Sequence, residues 1–183
     1  MNHKGTQITE TQRLILRPFR NDDAQQMFDN WAGDDEVTKY MTWPSRKNIE
    51  DTQNVVEGWT KRYSADNFYH WAIVTKDKNQ HIGFISVISC DENVGKVELG
   101  YAIGKKWWHK GIMAEALSAV TDYLFNTVGV RRIQACHDTN NPDSGKVMQK
   151  CGMQYEGTMR RAEKTNNGIC DLAYYAILAE DKK

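Results

Sequence analysis

ELGYAIGKKWWHKGIMAEAL, residues Glu98 to Leu117, joins a strand-like run to a helix-like one through a loop rich in lysine and tryptophan. From Lys96 onward, Val97, Leu99, Tyr101 and Ile103 fall on one face of an extended chain, because successive side chains point to opposite sides. Glu98, Gly100 and Ala102 fall on the other. A carboxylate followed by two small side chains leaves room above that face, and glycine within a strand marks a close approach of ligand or backbone. Glu98 in such a groove has the chemistry of a general base. On the strand alone, the plainer reading is a solvent-facing glutamate.

The strand leads into Lys105, Lys106, Trp107, Trp108, His109 and Lys110, and then Gly111. Beyond it, Met113, Ala116, Leu117, Val120 and Leu124 recur at three- and four-residue steps, which predicts an amphipathic helix closed near Gly129. The first N–H groups of a helix lack internal partners and carry the positive end of its dipole. Glycine at that point lets an anion reach the backbone, and nearby lysines add attraction. The loop is thus suited to phosphate, although neither G-x-x-x-x-G-K-[ST] nor G-x-G-x-x-G is present. As a lone feature it would be an ordinary strand-to-helix connection.

Working outward, RLILRPF (Arg13 to Phe19) alternates with period two and predicts a strand. NDDAQQMFDNWA and NIEDTQNVVEGWTKRY predict two helices, separated by YMTWPSR, where Trp43-Pro44 must be extended or turned. Three strand-like runs follow, from Tyr69, His81 and Lys96, with short turn-rich links that imply an antiparallel meander. After the Gly111 helix come a strand (RRIQACHD), a helix (NPDSGKVMQKCG) and a strand pair around TNNG, Thr165 to Gly168. This order describes an α+β or mixed α/β fold with helices flanking the sheet.

The 183 residues suit one domain over 1–183, with residues 1–10 expected as a flexible N-terminal extension. A chain of this size hides roughly 70% of its unfolded surface and needs no metal or disulfide staple. No apolar run approaches the about 20 residues of a membrane helix, and the first residues do not form a secretory signal, so the cytoplasm is the expected compartment. Zero net charge argues against general nucleic-acid binding. Four scattered cysteines and five scattered histidines show no ligand spacing, so no metal is expected. The acidic run Asp34, Asp35, Glu36 reads as a solvated turn.

A second helix start, NNPDSGKVMQKCGM, repeats the theme: Asn140 or Asn141 can cap it, Pro142 suits the first turn, and Ser144 has no capping reason to be there. TQRLILRPFRNDDA, ELGYAIGKKWWHKGIMAEAL, NNPDSGKVMQKCGMQYEGTMRRA and DLAYYAIL, in this order and spacing, resemble the GNAT acetyltransferase superfamily. The branch they are most similar to is that of the Rim-type ribosomal-protein N-terminal acetyltransferases. The likeness covers the chain from about Thr11 to Leu178.

The resemblance implies a mostly antiparallel, strongly twisted mixed sheet of six to seven strands flanked by about four helices. Acetyl-CoA would lie in the cleft where the central strands splay. The acetyl-CoA motif, Gln/Arg-x-x-Gly-x-Gly/Ala, falls on Trp108 to Met113. Trp108 replaces its basic first residue and Met113 its small last one. The resemblance assigns the pyrophosphate to backbone amides of His109, Lys110, Gly111, Ile112, Met113 and Ala114, and the pantetheine arm to the backbone of Tyr101, Ala102 and Ile103. Glu98 falls where family members carry the base. Asn141 and Ser144 fit an N-x-x-S pattern beside the thioester, and Lys150 is a candidate for a CoA phosphate. The tyrosine that reprotonates the CoA thiolate in other branches is replaced by Met148, which passes that role to Ser144 or to a water.

The implied reaction is direct attack of a primary amine on acetyl-CoA. A protein N-terminal amine is the first choice of acceptor, since its pKa of about 8 makes it easier to present neutral than lysine at about 10.4. A small amine such as a polyamine or aminoglycoside is the alternative, and a non-catalytic acyl-CoA-binding domain is a third reading. Trp43, Trp59 and Tyr175 are the candidate acceptor-lining residues. Exposed strand edges allow a homodimer.

Overall fold

The computed structural model describes residues 1–182. Its organising element is one eight-stranded sheet, in the order β1-β2-β3-β4-β5-β6-β8-β7. The strands are β1 (Thr9–Glu10), β2 (Leu14–Pro18), β3 (His70–Thr75), β4 (His81–Asp91), β5 (Lys96–Ile103), β6 (Arg132–Asp138), β7 (Gln154–Thr165) and β8 (Gly168–Leu178). The helices are α1 (Ala24–Met27), α2 (Asp35–Thr38), α3 (Ile49–Thr60), α4 (Ile112–Tyr123) and α5 (Pro142–Lys150), with π-helical turns prolonging α1 and α4. The sheet therefore exceeds the expected six to seven strands by the short β1. Two residues long, β1 pairs with β2 at the sheet edge and carries too little pattern to be read in advance.

Strand alternation sorts the core into two layers. On one face Trp71, Ile73, Ile85, Leu99 and Ile133 pack against Met113, Leu117 and Val120 of α4 and Met148 of α5. On the other, Ala72, Phe84 and Ala102 pack against Phe19, Met27, Trp31 and Val56 from the first helical layer. The turn into α1 is fastened by Arg17, which donates to both carboxylate oxygens of Asp23 at 2.7 Å. Asp23 also accepts from the Arg20 backbone N–H at 2.7 Å. Burial works against the Asp23 charge, but these bonds prevail and hold its carboxyl below the usual range.

Residues 1–10, expected as a flexible extension, are tied down instead. Asn2 N–H donates to the Val128 carbonyl at 2.7 Å, Tyr123 Oη to the Gly5 carbonyl at 2.8 Å, and Trp71 Nε1 to the Gln7 carbonyl at 2.8 Å. A polar, patternless segment is held here by its backbone groups, which composition does not reveal.

The topology opens the sheet in its middle. β5 pairs with β4 along Lys96–Ile103 but with β6 only through Lys96, Val97 and Glu98, in parallel. Beyond Glu98 the two neighbours diverge, and the far edge of Leu99–Ile103 has no strand beside it. A bulge in β4 between Val87 and Ser89 sits at the same level. The acidic run is no plain turn: Asp34 caps α2 by accepting from Glu36 N–H at 2.8 Å, and Glu36 pairs with Lys105.

Candidate active site

The splay separates two cavities that meet at Tyr101. The first, about 400 Å³, runs from the free edge of β5 to the starts of α4 and α5. Tyr101, Ala102 and Ile103 line it along the strand. His109, Gly111, Ile112, Met113 and Ala114 line it at the α4 end, and Asn141, Ser144 and Lys150 along α5. Of the residues expected to hold acetyl-CoA, only Lys110 lies off this wall. Its carbonyl accepts from Arg13 Nη1 at 3.0 Å, which turns that segment toward β2.

Backbone conformation builds the α4 end. His109 (φ 59) and Gly111 (φ 71) both occupy the left-handed region, and only glycine does so without steric cost. The space above Gly111 is open, its nearest neighbour being Arg13 Nη2 at 3.8 Å, so dihedral angle rather than room requires the glycine. No side chain caps α4, which leaves its first N–H groups for an anion. The turn is clamped from outside: Glu115 accepts from Thr11 Oγ1 at 2.5 Å, Arg13 N–H at 2.9 Å and Arg13 Nε at 2.6 Å. The opening strand motif thus serves the loop.

The two tryptophans, unexplained by the sequence, have structural work here. Trp108 Nε1 donates to the Ile103 carbonyl at 2.8 Å, tying the loop back onto the strand end. Trp107 lies over Gly104, where a Cβ would come within 2.8 Å of the ring and 2.3 Å of the Asn30 carbonyl. Lys105 is held by Glu36 rather than left for a ligand. Lys146, which the sequence reading passed over, lines the same cavity and pairs with Asp143 at 2.8 Å. Its i, i+3 spacing from Asp143 was the signal. Asn141 occupies the cap position of α5, yet its side chain makes no cap bond, contrary to the capping reading.

The second cavity, about 410 Å³, lies over the opposite face of the sheet. Glu98 and Gly100 form part of its floor, with Cys136, Asp138, Glu163 and Tyr174 along one side. Trp31, Trp43, Trp59, Phe84 and Arg46 form the other. Glu98 accepts from Gln134 Nε2 at 2.8 Å, which fixes one carboxylate oxygen. The tip of the β7–β8 hairpin makes the roof: Asn166 Nδ2 donates to the Thr38 and Trp43 carbonyls at 2.8 Å each, and its N–H donates to the Met41 carbonyl at 3.0 Å. Trp43 and Trp59 line this space. Tyr175 does not: it faces the core at 9% exposure, 5.6 Å from the His137 ring and 5.5 Å from Tyr155. Strand alternation gives the cavity position to Tyr174, one residue earlier.

Between the cavities, the Tyr101 hydroxyl lies 3.0 Å from Ser144 Oγ and donates to the Ser144 carbonyl at 3.1 Å. Burial pushes the Tyr101 phenol far above its ordinary pKa, so it stays protonated. Met148, where other branches have a tyrosine, is fully buried in the core. Cys136 Sγ approaches Glu98 Oε1 at 3.7 Å, closer to a carboxylate than its place in the sequence suggests. Burial, and then the Glu98 charge, push its pKa up to about 12. A thiol so firmly protonated is no nucleophile.

A sheet splayed beside a helix start that offers uncapped N–H groups, next to a carboxylate-bearing cavity, is the arrangement that the resemblance implies for a coenzyme A-dependent acyltransferase. The family profile described as Acetyltransferase (GNAT) domain matches residues 13–154, and the chain belongs to that family. It is accordingly an acetyl-CoA-dependent N-acetyltransferase. The uncharacterized N-acetyltransferase YoaA of Bacillus subtilis is 31% identical over 93% of this chain and 96% of its own length. The [Ribosomal protein uS5]-alanine N-acetyltransferase of Escherichia coli is 29% identical over 80% of this chain and 78% of its own. Among solved structures, a GNAT-family acetyltransferase from Bacillus anthracis superposes with a TM-score of 0.83 at 28% identity, over 95% of this chain and 99% of that one. RimL, the ribosomal L7/L12 alpha-N-protein acetyltransferase in complex with coenzyme A, shares the fold with a TM-score of 0.83 at 20% identity, over 94% and 98%. Among the described residues, no helix is long and apolar enough to cross a membrane.

Proposed function

We propose that the protein transfers the acetyl group of acetyl-CoA to an α-amine by direct attack, with a protein N-terminus as the first candidate acceptor. The reading rests on Glu98, which stands in the floor of the second cavity close to where that cavity meets the first at Tyr101. In this reading the amide groups from His109 to Ala114 hold the pyrophosphate. The free edge of β5 from Tyr101 to Ile103 holds the pantetheine, and Asn141, Ser144 and Lys150 hold the CoA side of the cleft. Glu98 takes the proton from the amine, directly or through a water. Ser144, or a water beside it, returns a proton to the departing thiolate, with the Tyr101 hydroxyl orienting Ser144. An N-terminus suits the chemistry, because its pKa of about 8 leaves a usable neutral fraction near pH 7. The name of the Escherichia coli relative supports that choice.

A small amine is the second reading, favoured by the Asn166 roof that encloses the acceptor side. We place the reaction in the cytoplasm. The exposed outer strand β7, with Tyr155 and Met159 more than half exposed, supports a homodimer that light scattering would reveal. An acceptor screen with labelled acetyl-CoA, spanning peptides of varied N-terminus and small amines, tests the central claim. Acetylated product with at least one α-amine is expected. Failure of acetyl-CoA to bind at millimolar concentration would overturn the reading.

A further inference from the structure

The acceptor cavity is electrically divided. Glu98 stands at its β5 end; Asp138 lies four residues farther along β6 than Gln134, the partner of Glu98, with Glu163 across β8 from it on β7. Asp138 is 3% exposed; its Oδ1 accepts from the Asn140 N–H and side-chain amide at 2.9 Å each, while its Oδ2 is buried with no partner. The opposite end is aromatic, with Trp43 at 6.2 Å from Trp31 and 6.4 Å from Phe84, ring centre to ring centre. Over Trp43, at 5.8 Å, lies the guanidinium of Arg46. Arg46 forms no salt bridge among the described residues, and its Nε is buried without a partner.

Register sets the scale. Phe84 lies opposite Ala102 on β5, four residues beyond Glu98, or about 13 Å along the sheet at roughly 3.3 Å per residue. A buried guanidinium nitrogen left unpaired is costly, as is a buried carboxylate oxygen. A molecule with an amine at the Glu98 end, a planar apolar body in the middle and an anion at the other end presents its amine to the base and pairs the Arg46 guanidinium.

We propose that the acceptor is such a molecule: a small primary amine whose aromatic body lies among Trp43, Trp59 and Phe84 and whose carboxylate or phosphate pairs with Arg46. The claim rests on the acetyl-transfer reading and narrows it to the enclosed second form. A polyamine would bring further positive charge to Arg46, and a plain arylamine would leave the guanidinium unpaired.

Two amines with the same body separate the cases: 4-(2-aminoethyl)benzoate and phenethylamine, each assayed by CoA release and titrated calorimetrically into the CoA-saturated protein. The acid-bearing amine is expected to have a kcat/KM and an affinity roughly tenfold or more higher, as befits a charge-assisted pair. Arg46→Gln should erase that preference, Arg46→Lys should keep part of it, and neither should alter acetyl-CoA affinity. Equal values for the two amines in the wild type, or a preference that survives Arg46→Gln, would overturn the proposal. Should Arg46→Gln fail to fold, the wild-type pair decides alone. Turnover of an alanine-initiated peptide with neither arylalkylamine bound would reject this acceptor while leaving acetyl transfer intact. Binding of the acid-bearing amine without any acetyl transfer would show that the cavity holds it but that it is not the acceptor, which overturns the proposal and leaves acetyl transfer intact.

Discussion

The two cavities flank one strand, yet they are built by different means. The cofactor side is made largely of main chain: a left-handed glycine, an uncapped helix start and an unpaired strand edge. The acceptor side is made of side chains from β4, β5, β6, the β7–β8 hairpin and the first helical layer. A backbone site should tolerate Trp108 and Met113 in place of the family's usual residues, because its donors do not depend on side-chain identity. A side-chain site changes its ligand with each substitution. The two halves should therefore fail separately when broken.

The largest separation is expected from Glu98→Gln. The carboxamide fills the same space and keeps a hydrogen bond to Gln134 within reach, but it cannot take a proton. Acetyl transfer at pH 7 should fall by roughly 10²–10⁴, the usual worth of a general base. Acetyl-CoA affinity by calorimetry should stay within about twofold, since the cofactor side is untouched. Undiminished turnover across the pH range would remove Glu98 from the chemistry.

The same contrast explains what could be read in the sequence. The phosphate loop, its glycine and the helix behind it lie within twenty contiguous residues, and their periodicities switch from strand to helix at Gly104 to Gly111. Arg46, Asp138 and Glu163 are scattered over more than a hundred positions and carry no shared spacing. Tyr175 was one residue out of place, because the pleat of β8 is set by its pairing with β6, a long-range register that local pattern does not encode. The role of Trp108 was hidden for the opposite reason. Its partner is a main-chain carbonyl, and every residue but its position looks alike to such a contact.

Acid should distinguish the halves next. His70 and His81 are buried beneath the acceptor side, among Phe19, Trp31, Trp59 and Phe84. Burial holds their pKa values down to about 3 and about 4. In the unfolded chain each binds a proton below about 6.5, so the unfolded state gains protons first. Their contribution is complete above that value and is lost as pH falls toward the folded values. Denaturant titration should show stability dropping by about 2 kcal/mol per histidine by about pH 5. A flat profile between pH 7 and 5 would mean that these rings are protonated in the native protein.

Gly111→Val should act on the cofactor side alone. A β-branched residue at φ 71 is strained by about 1–2 kcal/mol or more, and relaxing that strain displaces the amides that begin α4. The dissociation constant for acetyl-CoA should rise by roughly tenfold, measured calorimetrically, while acceptor affinity holds. Since nothing crowds the position, an unchanged constant would show that the amide cradle does not depend on this dihedral.

The smallest effect, and the finest test of the division, is expected at the roof. Asn166→Ala removes the two side-chain bonds to the Thr38 and Trp43 carbonyls and leaves the main-chain bond to Met41. Each lost bond is worth about 1 kcal/mol net, and both act on the loop that presents Trp43. KM for the acceptor should therefore rise about three- to tenfold, with kcat and acetyl-CoA affinity nearly constant, because the roof shapes binding and touches neither Glu98 nor the cleft at Ser144. If kcat fell instead, with KM unchanged, the hairpin tip would be holding the reacting groups rather than the acceptor's body. The two sides of β5 would then be coupled through the loop at Tyr40 and Met41, which, like Tyr101, line both cavities.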